Sequence, residues 1–191
     1  APDGILLAAD PKAATIVGFA TGDVSKSAKA AHYDISNLEE KLAGALGSTP
    51  KEIQIVDMAI NPLSGNAYLS IQRGQGADAA AVIVRVKPDG SIDEVPTTGV
   101  PMTSVTLPNA AQDEPRPRGN PRTESITDLA YISGKVWVAG LSNEEFASKL
   151  RGIPFPFEAA DKGASVEIYH GAHGRVETAS PVRTFAAFNI E

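Results

Sequence analysis

The stretch Ile126-Thr127-Asp128-Leu129-Ala130-Tyr131-Ile132-Ser133-Gly134-Lys135-Val136-Trp137-Val138-Ala139-Gly140 decides the fold, because an earlier stretch repeats its plan. The earlier copy runs Ile55-Val56-Asp57-Met58-Ala59-Ile60-Asn61-Pro62-Leu63-Ser64-Gly65-Asn66-Ala67-Tyr68-Leu69-Ser70. Ile, Asp and Ala recur in matching places, a Ser-Gly turn follows, and an aromatic flanked by aliphatics (Tyr68, Trp137) closes each unit. Asp128 follows Asp57 by 71 residues, and self-similarity on that scale is the signature of a repeat architecture.

Working outward, Ile5 to Ala9 and Thr15 to Phe19 read as a hairpin about Asp10-Pro11-Lys12, since proline favours a turn and the β-branched run a pleated strand. Strands are predicted at Ile55 to Ile60, Asn66 to Gln72 and Ala81 to Val86. Lys87-Pro88-Asp89-Gly90 is a strong turn signal. The fourth strand of that meander is either Ser91 to Val95 or Met102 to Leu107. The second copy predicts strands at Ile126 to Tyr131 and Lys135 to Ala139, a hairpin of Ser165 to Tyr169 with Arg175 to Glu177, and a last strand from Val182 to Phe188. Ser36-Asn37-Leu38-Glu39 and Ser142-Asn143-Glu144-Glu145 both match the capping box. They predict helical insertions near 36–46 and 142–151, the second ended by Pro154 and Pro156.

Four-stranded meanders repeated in one chain are the blades of a β-propeller. The reading is therefore an all-β, incomplete β-propeller of about three blades, a single segment over 1–191 with repeats near 4–35, 53–107 and 124–190. Propellers need at least about four blades, and a period of 71 fits fewer than three times into 191 residues. The ring is thus expected to be completed by another chain, a symmetry mate or a C-terminal half.

The resemblance rests on Ile126 to Ala130, Gly140-Leu141-Ser142-Asn143-Glu144-Glu145-Phe146, Ile153-Pro154-Phe155-Pro156-Phe157 and Tyr169-His170-Gly171-Ala172-His173-Gly174. Through these the chain resembles a little-characterised group of exported bacterial propeller-like proteins over roughly residues 36 to 190. More distantly it is similar to quinoprotein-like and YncE-like propellers, without a motif diagnostic of quinone binding. The resemblance implies a propeller fold, export, and further propeller sequence past the point matching Glu191. It implies no established activity.

Composition bounds the function. Seventeen basic against 23 acidic side chains give a net charge of −6, which argues against nucleic acid as a partner. No apolar run approaches the roughly 20 residues that span a bilayer, so no membrane span is expected. The absence of cysteine excludes disulfides, thiolate metal sites and cysteine nucleophiles. An opening Ala1-Pro2-Asp3-Gly4 without methionine is what removal of a secretory signal leaves, although an artificial boundary would look the same. A periplasmic or secreted location is the expectation.

Candidate chemistry gathers in three places. Asp113 to Glu124 holds Arg116, Arg118 and Arg122 in a proline-stiffened loop, and guanidinium forks suit carboxylates or phosphates. With Glu124, Asp57 and Asp128 they form the expected ligand-binding set for a small anionic molecule, although the same arginines can simply pair with Asp113, Glu114 and Glu124. Asp57 and Asp128 at equivalent inner-strand positions point first to structure, as acceptors of backbone N–H groups. His170 and His173, three apart around a Gly-rich turn, are candidate ligands for a metal ion, but two ligands without a third are a thin signature. No nucleophile elbow, phosphate loop or zincin helix is present. Two functions compete: a half-propeller binding an anion or a complementing subunit at its channel face, and a metal- or quinone-dependent oxidoreductase subunit.

Overall fold

A computed structural model describes residues 1–27, 30–117, 119–172, 174–177 and 180–188, without the side chains of 77, 168–170 and 175–177. In chain order its strands are β1 (Ile5–Asp10), β2 (Thr15–Ala20), β3 (Ile53–Ile60), β4 (Ala67–Arg73), β5 (Ala80–Val86), β6 (Ile92–Glu94), β7 (Met102–Thr106), β8 (Asp128–Ile132), β9 (Lys135–Leu141), β10 (Ser148–Pro154), β11 (Ala164–Ser165), β12 (Ile168–His170) and β13 (Arg175–Glu177), with one α-helix, α1 (Leu38–Ala45). The protein is mostly β. Contacts divide it into two compact units, one built on Leu6–Phe19 and the chain from Met102 onward, the other on Pro2–Ile5 and Ala20–Pro101.

The unit built on Ala20–Pro101 is an up-and-down antiparallel sheet in the order β3-β4-β5-β6. Pairing of Ile71 with Val82, Leu69 with Val84 and Ala67 with Val86 aligns six apolar side chains on one face, and Leu42 of α1 and Leu46, its C-cap, join that core. The helix forms where expected, but not through the expected cap. Asn37 stands at its N-cap in the left-handed region, φ 55°, with no side-chain cap bond. Burying one Leu side chain is worth about 1.5–3 kcal/mol against about 1 kcal/mol for a cap, so packing decides. A reciprocal cap forms instead at Thr49, whose N–H and hydroxyl both reach Glu52. Glu52's hydrogen bonds from Thr49 and Ser48 hold its carboxyl below the ordinary range.

The other unit holds three sheets among the described residues, β1-β2-β7, β11-β10-β9-β8 and the two-stranded β12-β13. Ala14, Ile16, Val105 and Leu107, in or next to β2 and β7, share one core with Ile126, Val136, Val138 and Ile153, in or just before β8, β9 and β10. The alternative over the fourth strand resolves for Ser91 to Val95: β6 closes the first meander, whereas β7 belongs to another sheet and pairs with β2, Thr15 opposite Thr106. Between β8 and β9 the turn is two residues, Ser133 and Gly134, both at positive φ (49° and 81°), the geometry that matches strand twist.

Two expectations are corrected. No helix follows Ser142: the Ser142 hydroxyl accepts the N–H of Glu144, two residues on rather than three, Ser142 N–H donates to Ala147, and Ser148–Pro154 is β10, paired with β9 along its whole length. An isolated helix of fewer than about three turns is marginal and cannot match seven ladder positions with β9. Residues 182–188 carry no strand pairing among the described residues; Val182 to Phe185 are held by side chains instead. The last hairpin forms with a shorter first arm than read: Ile168–His170 pairs with Arg175–Glu177, while Ser165 pairs with Lys149 of β10.

Candidate functional site

Asp128 opens β8, an edge strand, opposite Ala139. Its Oδ1 accepts the N–H of Leu129 at 2.8 Å. Its Oδ2 accepts the hydroxyl of Thr184 at 2.7 Å and the N–H of Phe185 at 3.1 Å. Thr127 donates its hydroxyl to the carbonyl of Val182, and Arg183 pairs with Glu124 at 2.7 Å. Four successive residues, Val182 to Phe185, are therefore gripped by Glu124, Thr127 and Asp128. Chemically this is a strand clamp: main-chain and hydroxyl groups supply the grip, and an ionised acceptor strengthens it.

The first repeat has the same frame. Ala59 faces Tyr68 across β3 and β4 just as Ala130 faces Trp137 across β8 and β9, so the equivalence read from the sequence holds in register. Asp57 sits opposite Ser70 after a bulge at Val56, and its Oδ1 accepts the N–H of Met58 at 2.7 Å. There the likeness stops. Asp57 is exposed, and its Oδ2 has no partner among the described residues. Around it Ile55 (40%), Val56 (59%), Met58 (59%) and Ile60 (48%) are all open to solvent.

The arginine loop closes on itself. Arg116 and Gly119 exchange backbone hydrogen bonds across a tight turn, the Arg116 guanidinium pairs with Glu114 at 2.9 Å, and Asn120 donates to Asp113. Glu124 is taken by Arg183. Arg122 makes no ion pair among the described residues, and its Nε is buried without a hydrogen-bond partner. Arg118 and His173 lie outside the described residues, as does the side chain of His170. Among the described residues no group of three or more metal-ligating side chains converges.

Sequence reading missed two polar nodes. Asp23, 7% exposed, accepts from Ser64 (2.7 Å), Asn66 (3.0 Å) and Tyr68 (2.8 Å). Burial pushes its carboxyl up, but these hydrogen bonds outweigh burial and hold it below the ordinary range. Its only signal was a Gly-Asp pair in a polar segment. In the other unit Lys149 pairs with Glu144 at 2.7 Å and holds that carboxyl down. Beside them Arg151 is fully buried, bonded to the Pro108 carbonyl at 3.3 Å, with Nε and Nη1 unpartnered. A cleft of about 110 Å³ lined by Thr21, Arg85, Glu94 and Val95 is too small for the several hundred Å³ that organic ligands occupy.

Comparison with protein-family models, with curated proteins and with solved structures finds no match to this chain. Among the described residues no helix is long and apolar enough to cross a membrane.

Proposed function

We propose that this chain is an exported binding scaffold, a β-propeller segment of the bacterial group it resembles, whose β3 edge takes a complementing polypeptide. The observation that carries the reading is the exposure of β3. It is the edge of its sheet, and Ile55, Val56, Met58 and Ile60 are 40–59% exposed. A bare apolar edge is an aggregation hazard that proteins blunt with charge, proline or cover, and only Asp57 blunts this one. Native mass spectrometry of the protein purified from the cells that make it tests the reading. A second polypeptide in fixed ratio, lost in Val56→Lys/Met58→Lys protein, is the expected result. A lone monomer counts against it.

A small anionic ligand is the second reading, favoured by the buried, unpartnered Nε of Arg122. Calorimetric titration with inorganic phosphate tests it: saturable heat that disappears in Arg122→Gln supports an anion site.

A further inference from the structure

We infer that Asp57 is the docking point of the complement, and that what docks there is an extended segment presenting a Thr or Ser hydroxyl followed by the N–H of an apolar residue. The inference rests on the reading of β3 as a strand-accepting edge, and it names the chemistry of what that edge accepts.

The argument is one of matched geometry. Both aspartates stand on edge strands, in the same cross-strand register. In both, Oδ1 accepts the N–H of the next residue, at 2.7 Å in Asp57 and 2.8 Å in Asp128. That shared bond leaves the second carboxylate oxygen free to accept in each case. At Asp128 it holds the hydroxyl of Thr184 and the N–H of Phe185. At Asp57 it holds nothing among the described residues. An ionised acceptor on an edge strand, with one oxygen committed and one free, selects a hydroxyl and an adjacent main-chain N–H.

The apolar part follows from the surroundings. Where the second repeat has Thr127, which donates to the Val182 carbonyl, the first has Val56, 59% exposed. With Met58 one residue beyond Asp57, the flanks offer burial rather than hydrogen bonds. A segment with bulky apolar residues on either side of its hydroxyl residue fits that edge.

A second copy of this chain is the weaker occupant. Its segment of matching chemistry, Val182 to Phe185, is already held in cis by Asp128, so lending it to a neighbour exchanges one set of carboxylate hydrogen bonds for another with no gain. A different polypeptide is the occupant the geometry favours.

The test uses the full chain and a fluorescent synthetic peptide with the sequence of residues 181–188 in which Arg183 is replaced by Val, so that Thr184 stands between Val and Phe185, followed by anisotropy. Saturable binding is expected, weakened about tenfold or more in Asp57→Ala and by the Thr184→Val change in the peptide, as loss of a charge-assisted hydrogen bond requires. Circular dichroism checks that Asp57→Ala, at an exposed position, retains its fold. Absence of saturable binding, or binding equal in Asp57→Ala, overturns the inference. So does concentration-dependent dimerisation lost in Asp57→Ala, which would make a second copy the occupant. A complement that co-purifies equally with wild type and Asp57→Ala would overturn the inference while leaving the reading of β3 intact. Its absence from wild type removes both.

Discussion

β3 and β8 stand at the same place in two copies of one plan, and they differ in what lies along their outer edge. β8 is closed by a segment about 56 residues further along the chain; β3 is open. The strand sequences alone do not account for this, because each has its aspartate, its alanine and its aliphatics in matching positions. The difference sits in the neighbours. Thr127 and Glu124 add a donor and a charge that lock the incoming backbone, whereas Val56 offers only apolar surface. Two edges with one frame thus differ in state, one closed from within the chain and one bare among the described residues.

The largest expected effect lies where the repeats fill one place differently. In register Gly140 of β9 matches Ile71 of β4, 1% exposed in its core. A Cβ on Gly140 would meet the Ser125 carbonyl oxygen at 2.1 Å. Gly140→Ala should cost about 3 kcal/mol, seen as a lower urea midpoint of Trp137 fluorescence, the chain's single tryptophan; an unchanged midpoint would break the matched frame.

Next comes Asp23, which has no counterpart in the second repeat: Tyr68 donates to it, while Trp137 lies instead against Gly152, its cross-strand neighbour. Asp23→Ala should cost about 2 kcal/mol, since buried donors lose an ionised acceptor, read by thermal melting. Because the folded carboxyl lies below the ordinary 3.8, the unfolded chain takes up the proton first on acidification. The stabilisation is full above pH 3.8 and is lost as pH falls from there through the folded value. Asp23→Asn should flatten that part of the acid-stability profile; an unaltered profile would mean the network contributes nothing.

Asp128→Ala should cost about 1 kcal/mol and make residues 180–188 the first site of limited proteolysis. Asp57→Ala should leave the stability of the isolated chain unchanged within error in the same melts. Equal losses at the two aspartates would erase the contrast between the edges.

Much of the sheet plan was legible in the sequence, because alternation, Pro-Asp and Ser-Gly turns and the repeat itself act locally. Ser142 to Pro154 was not. Its buried positions in β10 are Ser148, Lys149 and Arg151 beside Ile153, so no apolar alternation announces a strand, while the Ser-x-x-Glu spacing imitates a helix start. Pairing with β9 overrides that local signal. The candidate site was half visible: both aspartates stood out through the repeat and Glu124 through its loop. Thr184 gave no sign, because a lone threonine far along the chain acquires its role only once the fold brings it to Asp128. The arginine cluster stood out by composition, yet composition cannot tell a convergent set from one whose members pair with the acids beside them, as Arg116 does with Glu114.

The long reach from Asp128 to Thr184 also sets an order of events on the ribosome. β8 can pair with β9 as soon as both have emerged, but its edge stays bare until some 45 further residues are made and the segment of Val182 to Phe185 arrives. During that interval a nascent chain carries two vacant acceptors of one kind. Arrival of the segment fills the first acceptor and leaves the second bare among the described residues, so that two like edges part company only as synthesis proceeds.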